Sequence, residues 1–277
     1  MVDIIWRIIW PVVLFLGINL GVQSVFSWYY VGKNVFDSNG ELSYGIEVMG
    51  TQTVLIMMFT MLITIPVMII LMKKDEDIKG FRTYKEHYKI ISFEGFWLLI
   101  PLGILTCLGL TKLVTIFPID NIIGSYEKVV QSYNDSNIWL RFVTLCILVP
   151  IAEELVYRGM LYKRLKEYNE MTIAAYIAAL AFGVVHMNLV QGIYATIAAV
   201  ILIFVYEKYK TILAPIFLHM VINLMALISG EFVVFEKINN LLLAKIFFMI
   251  LELFGIVLLV KIIWKRKKNY GSVADKR

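Results

Sequence analysis

Charged residues are scarce in this sequence, which excludes an ordinary soluble protein. They make up 17% of the 277 residues, whereas hydrophobic residues make up 60%. A soluble domain would carry about 25% charged residues. Long apolar runs recur from one end of the chain to the other, and a run of about 20 apolar residues can cross a bilayer as a helix. We therefore predict an all-α, multi-pass membrane protein with the lipid bilayer as its surroundings.

Cysteine is nearly absent, and several common motifs are missing. The two cysteines, Cys107 and Cys146, lie in separate apolar runs with no C-x-x-C pair, which excludes a disulfide framework. We interpret both as small packing residues. The sequence has no H-E-x-x-H motif, which excludes a zincin-type metalloprotease site. It also has no repeat and no low-complexity segment, so we predict a single integral-membrane domain over residues 1–277.

Basic residues outnumber acidic ones by 26 to 21, but their placement argues against a nucleic-acid partner. They cluster at 73–89, 163–166, 207–210 and in the C-terminal tail, between or after apolar runs. Lys and Arg concentrate in this way on the cytoplasmic side of membrane proteins. An even number of spans puts all these segments on one side, so we predict that both termini are cytoplasmic. The many Ile, Lys and Asn residues are typical of an AT-rich bacterial genome, so we predict a bacterial plasma membrane. The eight predicted spans are 1–31, 51–72, 93–117, 138 onward to about 166, 171–186, 193–206, 211–229 and 241–264.

Three charged residues interrupt the fourth predicted span. Glu153, Glu154 and Arg158 lie within six residues of apolar sequence, and one charge at the bilayer centre costs ~2.5–3.5 kcal/mol on insertion scales. They must therefore face protein or water. Glu154 and Arg158 are spaced i,i+4, so one helix face carries both and they can pair. Glu153 points about 100° away from Glu154 and is available for another task.

Histidine is also rare, and two of the three histidines lie in predicted spans. His87 falls in the charged segment 73–89, where we expect it to be solvated. His186 and His219 interrupt apolar runs, and Asn223 follows His219 at i,i+4. Polar residues inside spans are functional candidates by default. At ~1.5 Å of rise per residue, Glu153, His186 and Asn223 lie about 20–22 Å from the cytoplasmic ends of their helices and His219 about 13 Å, so the four can form one site.

Two kinds of chemistry suit this set of residues. Glu153 and a histidine can activate water and then protonate a leaving amine, while a second histidine and Asn223 donate hydrogen bonds to an oxyanion. Alternatively, Glu153, His186 and His219 could hold a zinc ion and leave one position for water. In either case Glu154 and Arg158 would support the site. Two prolines, Pro150 and Pro215, would loosen their helices beside it.

Three motifs in this region resemble those of a known family. E-E-x-x-x-R is present as Glu153 to Arg158, F-x-x-x-H as Phe182 to His186, and H-x-x-x-N as His219 to Asn223. In this respect the chain is similar to the CAAX-protease and bacteriocin-processing family of intramembrane proteases, also called the Abi or type II CAAX endopeptidase family. The resemblance covers 138–230, which we take as the catalytic helix core.

The resemblance implies an eight-helix fold and hydrolysis of a peptide bond in a membrane-associated peptide or protein. It implies that Glu153 and His186 activate water and that His219 and Asn223 donate to the oxyanion. Some descriptions of the family make it a metalloprotease, so zinc stays open as a cofactor. Bacterial members are linked to processing of, or immunity to, peptides such as bacteriocins.

Two other functions compete with the protease. The chain could be a non-catalytic membrane regulator or bacteriocin-immunity scaffold, as some family members lack the catalytic residues. It could also be a transporter, for which intramembrane charges would be suitable. The sequence lacks the paired, Gly/Pro-interrupted half-repeats that transporters show. All motif residues are present, which favours an active enzyme.

Overall fold

The computed structural model describes residues 2–37, 52–78, 96–116, 132–133, 136–231 and 242–265. Over these ranges the chain forms eight helices and no strand, so the all-α prediction is confirmed. The predicted loop with His87 lies outside the described residues. The helices are α1 (Val2–Asp37), α2 (Thr53–Ile78), α3 (Leu99–Ile116), α4 (138–168), α5 (Met171–Val184), α6 (Leu189–Tyr209), α7 (Leu213–Glu231) and α8 (Leu242–Lys265).

The helices have the length and composition of a multi-pass membrane protein. Among the described residues, α1, α2, α6 and α8 each contain a stretch long and apolar enough to cross a membrane, and α3, α5 and α7 contain shorter apolar stretches. Large apolar side chains such as Trp28, Leu180 and Leu243 are exposed on the outer faces of these helices, as expected for surfaces that contact lipid. The described structure does not test which side of the membrane the termini occupy, so their cytoplasmic location stays a prediction.

The sixth helix is longer than the sequence predicted. The expected span was 193–206, whereas α6 covers Leu189–Tyr209. It begins early because the Asn188 side chain accepts a hydrogen bond from the backbone N–H of Gln191 and caps the first turn. It ends where Lys210 adopts the left-handed conformation, with φ of 55°. Both boundaries are set by local polar groups, which a count of apolar residues does not detect.

The motif helix α4 is not a regular α-helix. Two wide, π-helical segments, Phe142–Leu148 and Leu155–Tyr162, flank the α-helical segment Val149–Glu154. Pro150 lies in that central segment and has no backbone N–H to give. π-helical turns occur frequently at functional sites, and here they bracket the two adjacent glutamates.

Small residues recur every four positions in the fifth predicted span, at Ala175, Ala179 and Gly183, and Gly183 brings α5 and α6 close together. A Cβ atom on Gly183 would lie 2.5 Å from the carbonyl oxygen of Gly192 and would also meet Thr196. Ala179, one turn earlier, is buried. Small residues allow this approach because their short side chains let the two backbones come into contact, which favours helix association in lipid. The contact fixes the end of α5, where the F-x-x-x-H motif lies.

Two apolar clusters of buried residues meet at α6. The first joins α1, α2, α4, α5 and α6 through residues such as Met68, Val156 and Ala199. The second joins α3, α6, α7 and α8 through residues such as Leu102 and Leu218. Glu153 and Glu154 belong to α4, and His219 belongs to α7. The motif residues therefore lie where the two clusters adjoin.

Candidate active site

Glu154 is the most buried polar residue of the motif region. Its side chain is fully buried, and Oε1 accepts hydrogen bonds from Arg158 Nη1 at 2.7 Å and from His219 Nδ1 at 2.9 Å. The i,i+4 pair predicted between Glu154 and Arg158 is therefore confirmed. A charge buried in this way is tolerated only when it is paired and hydrogen-bonded. Glu154 thus ties α4 to α7 and fixes the ring of His219.

Glu153 lies beside the other face of the same histidine. Its Oε2 is 3.7 Å from His219 Nε2, and its side chain retains 14% of its accessible surface. The ring of His219 therefore has a carboxylate near each nitrogen. Because Glu154 is fully buried and committed to two partners, Glu153 is the carboxylate that a substrate or water can reach.

Arg158 connects α4 to two further helices. Its side chain is 1% exposed, and Nη2 donates to the backbone carbonyl of Ala199 on α6 at 3.2 Å. The guanidinium carbon lies 4.9 Å from the ring centroid of Phe182 on α5, which is a cation–π distance. Arg158 thus neutralises Glu154 and holds α5 and α6 against the motif helix.

Phe182, the first residue of the F-x-x-x-H motif, is the packing centre of the site. Its ring meets Tyr157 edge-to-face with centroids 4.9 Å apart, and the ring centroids of His186 and His219 lie 5.1 and 6.0 Å away. The side chain is 3% exposed. Both histidine rings are therefore oriented against one aromatic surface.

His186 lies in a turn rather than within a helix. The sequence placed it in the span 171–186, but α5 ends at Val184 and the next residues form a turn in which Met187 has φ of 55°. His186 Nδ1 donates to the carbonyl of Phe182 at 2.8 Å, since a carbonyl can only accept. In the neutral ring Nε2 then carries the lone pair, as a general base requires.

Asn223 has a partner that the sequence did not predict. Its Nδ2 donates to the carbonyl of Leu145 on α4 at 2.8 Å. That carbonyl lacks a helical partner because the N–H of Val149 bonds to Thr144 and Pro150, the next residue, has no N–H. Asn223 therefore satisfies a backbone acceptor that the proline leaves open. The bond uses one of the two amide hydrogens.

The proposed zinc ligands are not gathered into one group. Within the part of the chain that the structure describes, no three His, Cys, Asp or Glu side chains are placed to hold a metal ion. Glu153 and His219 are neighbours, whereas His186 Nδ1 is engaged by a backbone carbonyl. The arrangement does not resemble a three-ligand zinc site, and zinc bound by Glu153, His186 and His219 stays a prediction.

Sequence reasoning missed two features. Lys112 of α3 and Glu252 of α8 form an ion pair inside the helix bundle, where both side chains are largely buried. Each interrupts an apolar run, which was a usable signal. The second is Tyr157, an aromatic residue whose sequence context indicates only packing. Its hydroxyl is buried without a hydrogen-bond partner among the described residues, and it follows Glu153 at i,i+4.

Comparisons with known proteins agree with the motifs. Residues 135–225, which contain all three motifs and Tyr157, match the family described as type II CAAX prenyl endopeptidase Rce1-like. A curated Bacillus subtilis (strain 168) protein, named "Putative membrane peptidase YdiL", is 31% identical over 84 residues, which are 30% of this chain and 34% of the relative. The chain thus matches about a third of that relative's length. No solved structure matches the chain. The resemblance inferred from the three motifs is confirmed for this segment.

Proposed function

We propose that the chain is an intramembrane endopeptidase that hydrolyses a peptide bond in a membrane-associated peptide or protein. The observation that carries the proposal is the pairing of Glu153 with His219 across α4 and α7, at 3.7 Å. The pair is backed by the buried Glu154–Arg158 ion pair and lies within the segment that matches a peptidase family. An accessible carboxylate beside an oriented imidazole is suited to proton transfer during hydrolysis.

In the proposed reaction, Glu153 accepts a proton from water, and the hydroxide attacks the carbonyl carbon of the scissile bond. The carbonyl oxygen becomes an oxyanion, and Glu153 then delivers its proton to the nitrogen of the leaving amine as the C–N bond breaks. His219 stabilises the oxyanion through Nε2–H, which requires the doubly protonated ring. Glu154 at Nδ1 and Glu153 near Nε2 would offset the charge of that ring, and such preorganised donors stabilise developing charge without having to reorganise during the reaction.

His186 and Asn223 have supporting roles in this proposal. The Nδ1–H of His186 is held by Phe182, so Nε2 is a second group that can accept a proton from water. Asn223 positions α7 through Leu145, and its second amide hydrogen can reach toward the oxyanion. These roles, the zinc-dependent form of the reaction and bacteriocin processing all stay predictions.

The test is cleavage of a panel of membrane-associated peptides by the purified protein in lipid nanodiscs. We expect Glu153→Gln to lower kcat by at least about a hundredfold, since general acid–base groups contribute about 10²–10⁴-fold. The matched control is Glu170→Gln, because Glu170 is exposed at the start of α5 and its side chain caps no backbone group. It should cleave like wild type. A zinc chelator that abolishes cleavage reversibly would instead favour the metal-dependent form.

The alternative, a non-catalytic membrane regulator or immunity scaffold, gives a different outcome. If the Glu153→Gln variant keeps full function in cells at normal abundance, the enzyme hypothesis is wrong. If wild type cleaves peptides and Glu153→Gln cleaves them equally well, hydrolysis takes place without Glu153 and the proposed mechanism is contradicted.

A further inference from the structure

The hydroxyl of Tyr157 is a polar group in a buried position. The side chain is 2% exposed, and the hydroxyl oxygen has no hydrogen-bond partner among the residues that the structure describes. A buried polar group without a partner is destabilising, since it has lost its bonds to water and gained none. A phenylalanine would pack against Phe182 equally well without this cost. The hydroxyl therefore requires an explanation other than packing.

The position of the ring directs attention to the catalytic carboxylate. Tyr157 follows Glu153 by four residues on α4, so the two side chains lie on neighbouring turns of one helix face. The charge of Glu153 acts on the Tyr157 hydroxyl, although no hydrogen bond joins the two groups. The edge-to-face contact of Tyr157 with Phe182 fixes the ring, so the hydroxyl has little freedom to turn to another partner.

Two more polar atoms in the same helical turn lack a visible hydrogen-bond partner. Glu154 Oε2 and Arg158 Nε are also buried without partners in the described part of the chain. Together with Tyr157 they provide a donor, an acceptor and a hydroxyl within residues 154–158. Groups of this kind can be satisfied by ordered water, which typically makes about three hydrogen bonds to buried polar atoms.

We propose that the Tyr157 hydroxyl hydrogen-bonds the water molecule that Glu153 deprotonates, and that it is a further catalytic residue of the site. This inference rests on the proposed function. Tyr157 donates its O–H to a lone pair of the water oxygen, while one water hydrogen points to Glu153. As the proton passes to Glu153, the other lone pair forms the bond to the scissile carbonyl carbon. Tyr157 keeps its own proton throughout, so the proton balance of the hydrolysis is unchanged.

The experiment compares Tyr157→Phe with wild type in the peptide-cleavage assay in nanodiscs, with kcat and KM measured separately and activity expressed per folded enzyme. Phenylalanine keeps the ring contact with Phe182 and removes only the hydroxyl. We expect kcat to fall about tenfold, as loss of one hydrogen bond in the transition state would cause. We expect KM to be unchanged. The melting temperature should be unchanged or higher, because a buried polar atom without a partner has been removed.

Tyr162→Phe is the matched control. It removes a hydroxyl from the same helix, but that hydroxyl donates to Glu207 at 3.0 Å, away from Glu153, so kcat should be unchanged. Tyr157→Leu removes the ring as well and separates hydroxyl from packing. If Tyr157→Phe keeps the wild-type kcat while Tyr157→Leu loses activity, Tyr157 only packs and the inference is overturned. If wild type itself cleaves nothing, the proposed function fails, and the inference that rests on it fails too. If wild type cleaves and only the expected effect of Tyr157→Phe is missing, the inference alone fails.

Discussion

One carboxylate, Glu154, supports both the ion pair and the histidine at the centre of this molecule. Its Oε1 accepts from Arg158 and from His219, so the electrostatics of α4 and the orientation of α7 depend on the same atom. Glu153, its neighbour in sequence, is left accessible because Glu154 occupies the buried position. Two adjacent glutamates thus have different tasks, set by which helix face each one occupies.

We expect Arg158→Met to destabilise the protein by about 3–5 kcal/mol, because it removes the guanidinium that neutralises the buried Glu154 charge and leaves that carboxylate only its hydrogen bond from His219. Thermal unfolding in detergent measures the loss. The control is Arg7→Met, whose arginine pairs with Asp75 and Glu167 but is 34% exposed, so about 1 kcal/mol or less is expected. Equal losses for the two variants would contradict the view that Glu154 needs Arg158.

Asn223 and Pro150 offer a second test at the scale of single residues. Asn223→Ala leaves the Leu145 carbonyl without a donor, and a buried acceptor left open costs about 1–3 kcal/mol. Pro150→Ala returns a backbone N–H to α4. We therefore expect Asn223→Ala to be less destabilising in a Pro150→Ala background, as a double-mutant cycle of melting temperatures would show. Simple additivity would mean that the proline does not create the need for Asn223.

At the scale of single residues, the sequence predicted the contacts that depend only on spacing along a helix. The i,i+4 relation of Glu154 and Arg158 is local, so the order of residues alone is enough to predict the pair. The bond of Asn223 to Leu145 spans 78 residues and depends on a hydrogen-bond register in α4 that no single-sequence pattern reveals. The burial of the Tyr157 hydroxyl is likewise a tertiary property, so the sequence indicated only an aromatic packing residue.

Among the helices, the contact of α5 with α6 determines where the second motif lies. Gly183 precedes His186 by three residues and touches the backbone of α6 at Gly192. Any side chain at this position must push the two helices apart. Because His186, in the turn after α5, is held by a hydrogen bond to Phe182 at the end of α5, a displaced α5 would carry both motif residues with it.

We expect Gly183→Ala to destabilise the protein by about 1–3 kcal/mol through overpacking and to reduce peptide cleavage more than Gly17→Ala does. Gly17 lies within α1, and a Cβ atom there meets nothing within 4 Å, so alanine should be neutral or slightly stabilising in that helix. Melting temperature and cleavage rate are measured for both variants. A Gly183→Ala protein as stable and active as the Gly17→Ala protein would refute the close approach of the two helices.

The existence of all eight helices could be predicted from the sequence, since each corresponds to an apolar run. Their ends are predicted less well where capping decides them, as for α6. The π-helical turns of α4 were not predicted either, because they depend on which backbone groups find partners elsewhere in the fold. The small-residue stripe is visible in the sequence because a spacing of four residues is itself a local signal.

For the whole molecule, the pair of Lys112 and Glu252 fastens the last helix to the bundle. It joins α3 to α8, while Gly103 of α3 lies against Val221 of α7, between His219 and Asn223. A chain of contacts therefore runs from α8 through α3 to the helix that carries two motif residues. Both charges are evident in the sequence, but their pairing is not, because it depends on how distant helices are arranged.

We expect Glu252→Lys to lower the melting temperature strongly, since it would bury two like charges beside each other. The double variant Lys112→Glu with Glu252→Lys reverses the pair and should recover most of the loss. Peptide cleavage should follow stability in both cases, because neither residue contacts the candidate site in the described structure. A double variant no more stable than Glu252→Lys would show that the two charges do not stabilise one another.

Under the proposed function, the shortness of α5 has a consequence for the supply of water to the site. Its 14 residues span ~21 Å at ~1.5 Å per residue, whereas the hydrocarbon core is ~30 Å thick. With Met171 at the predicted cytoplasmic boundary of the span, the turn with His186 would then lie within the depth of the bilayer. Non-helical backbone is tolerated there only where it is buried in protein or lines a hydrated cavity. We expect the latter, so that the bilayer is effectively thinner at this point and the scissile bond meets solvent without leaving the membrane.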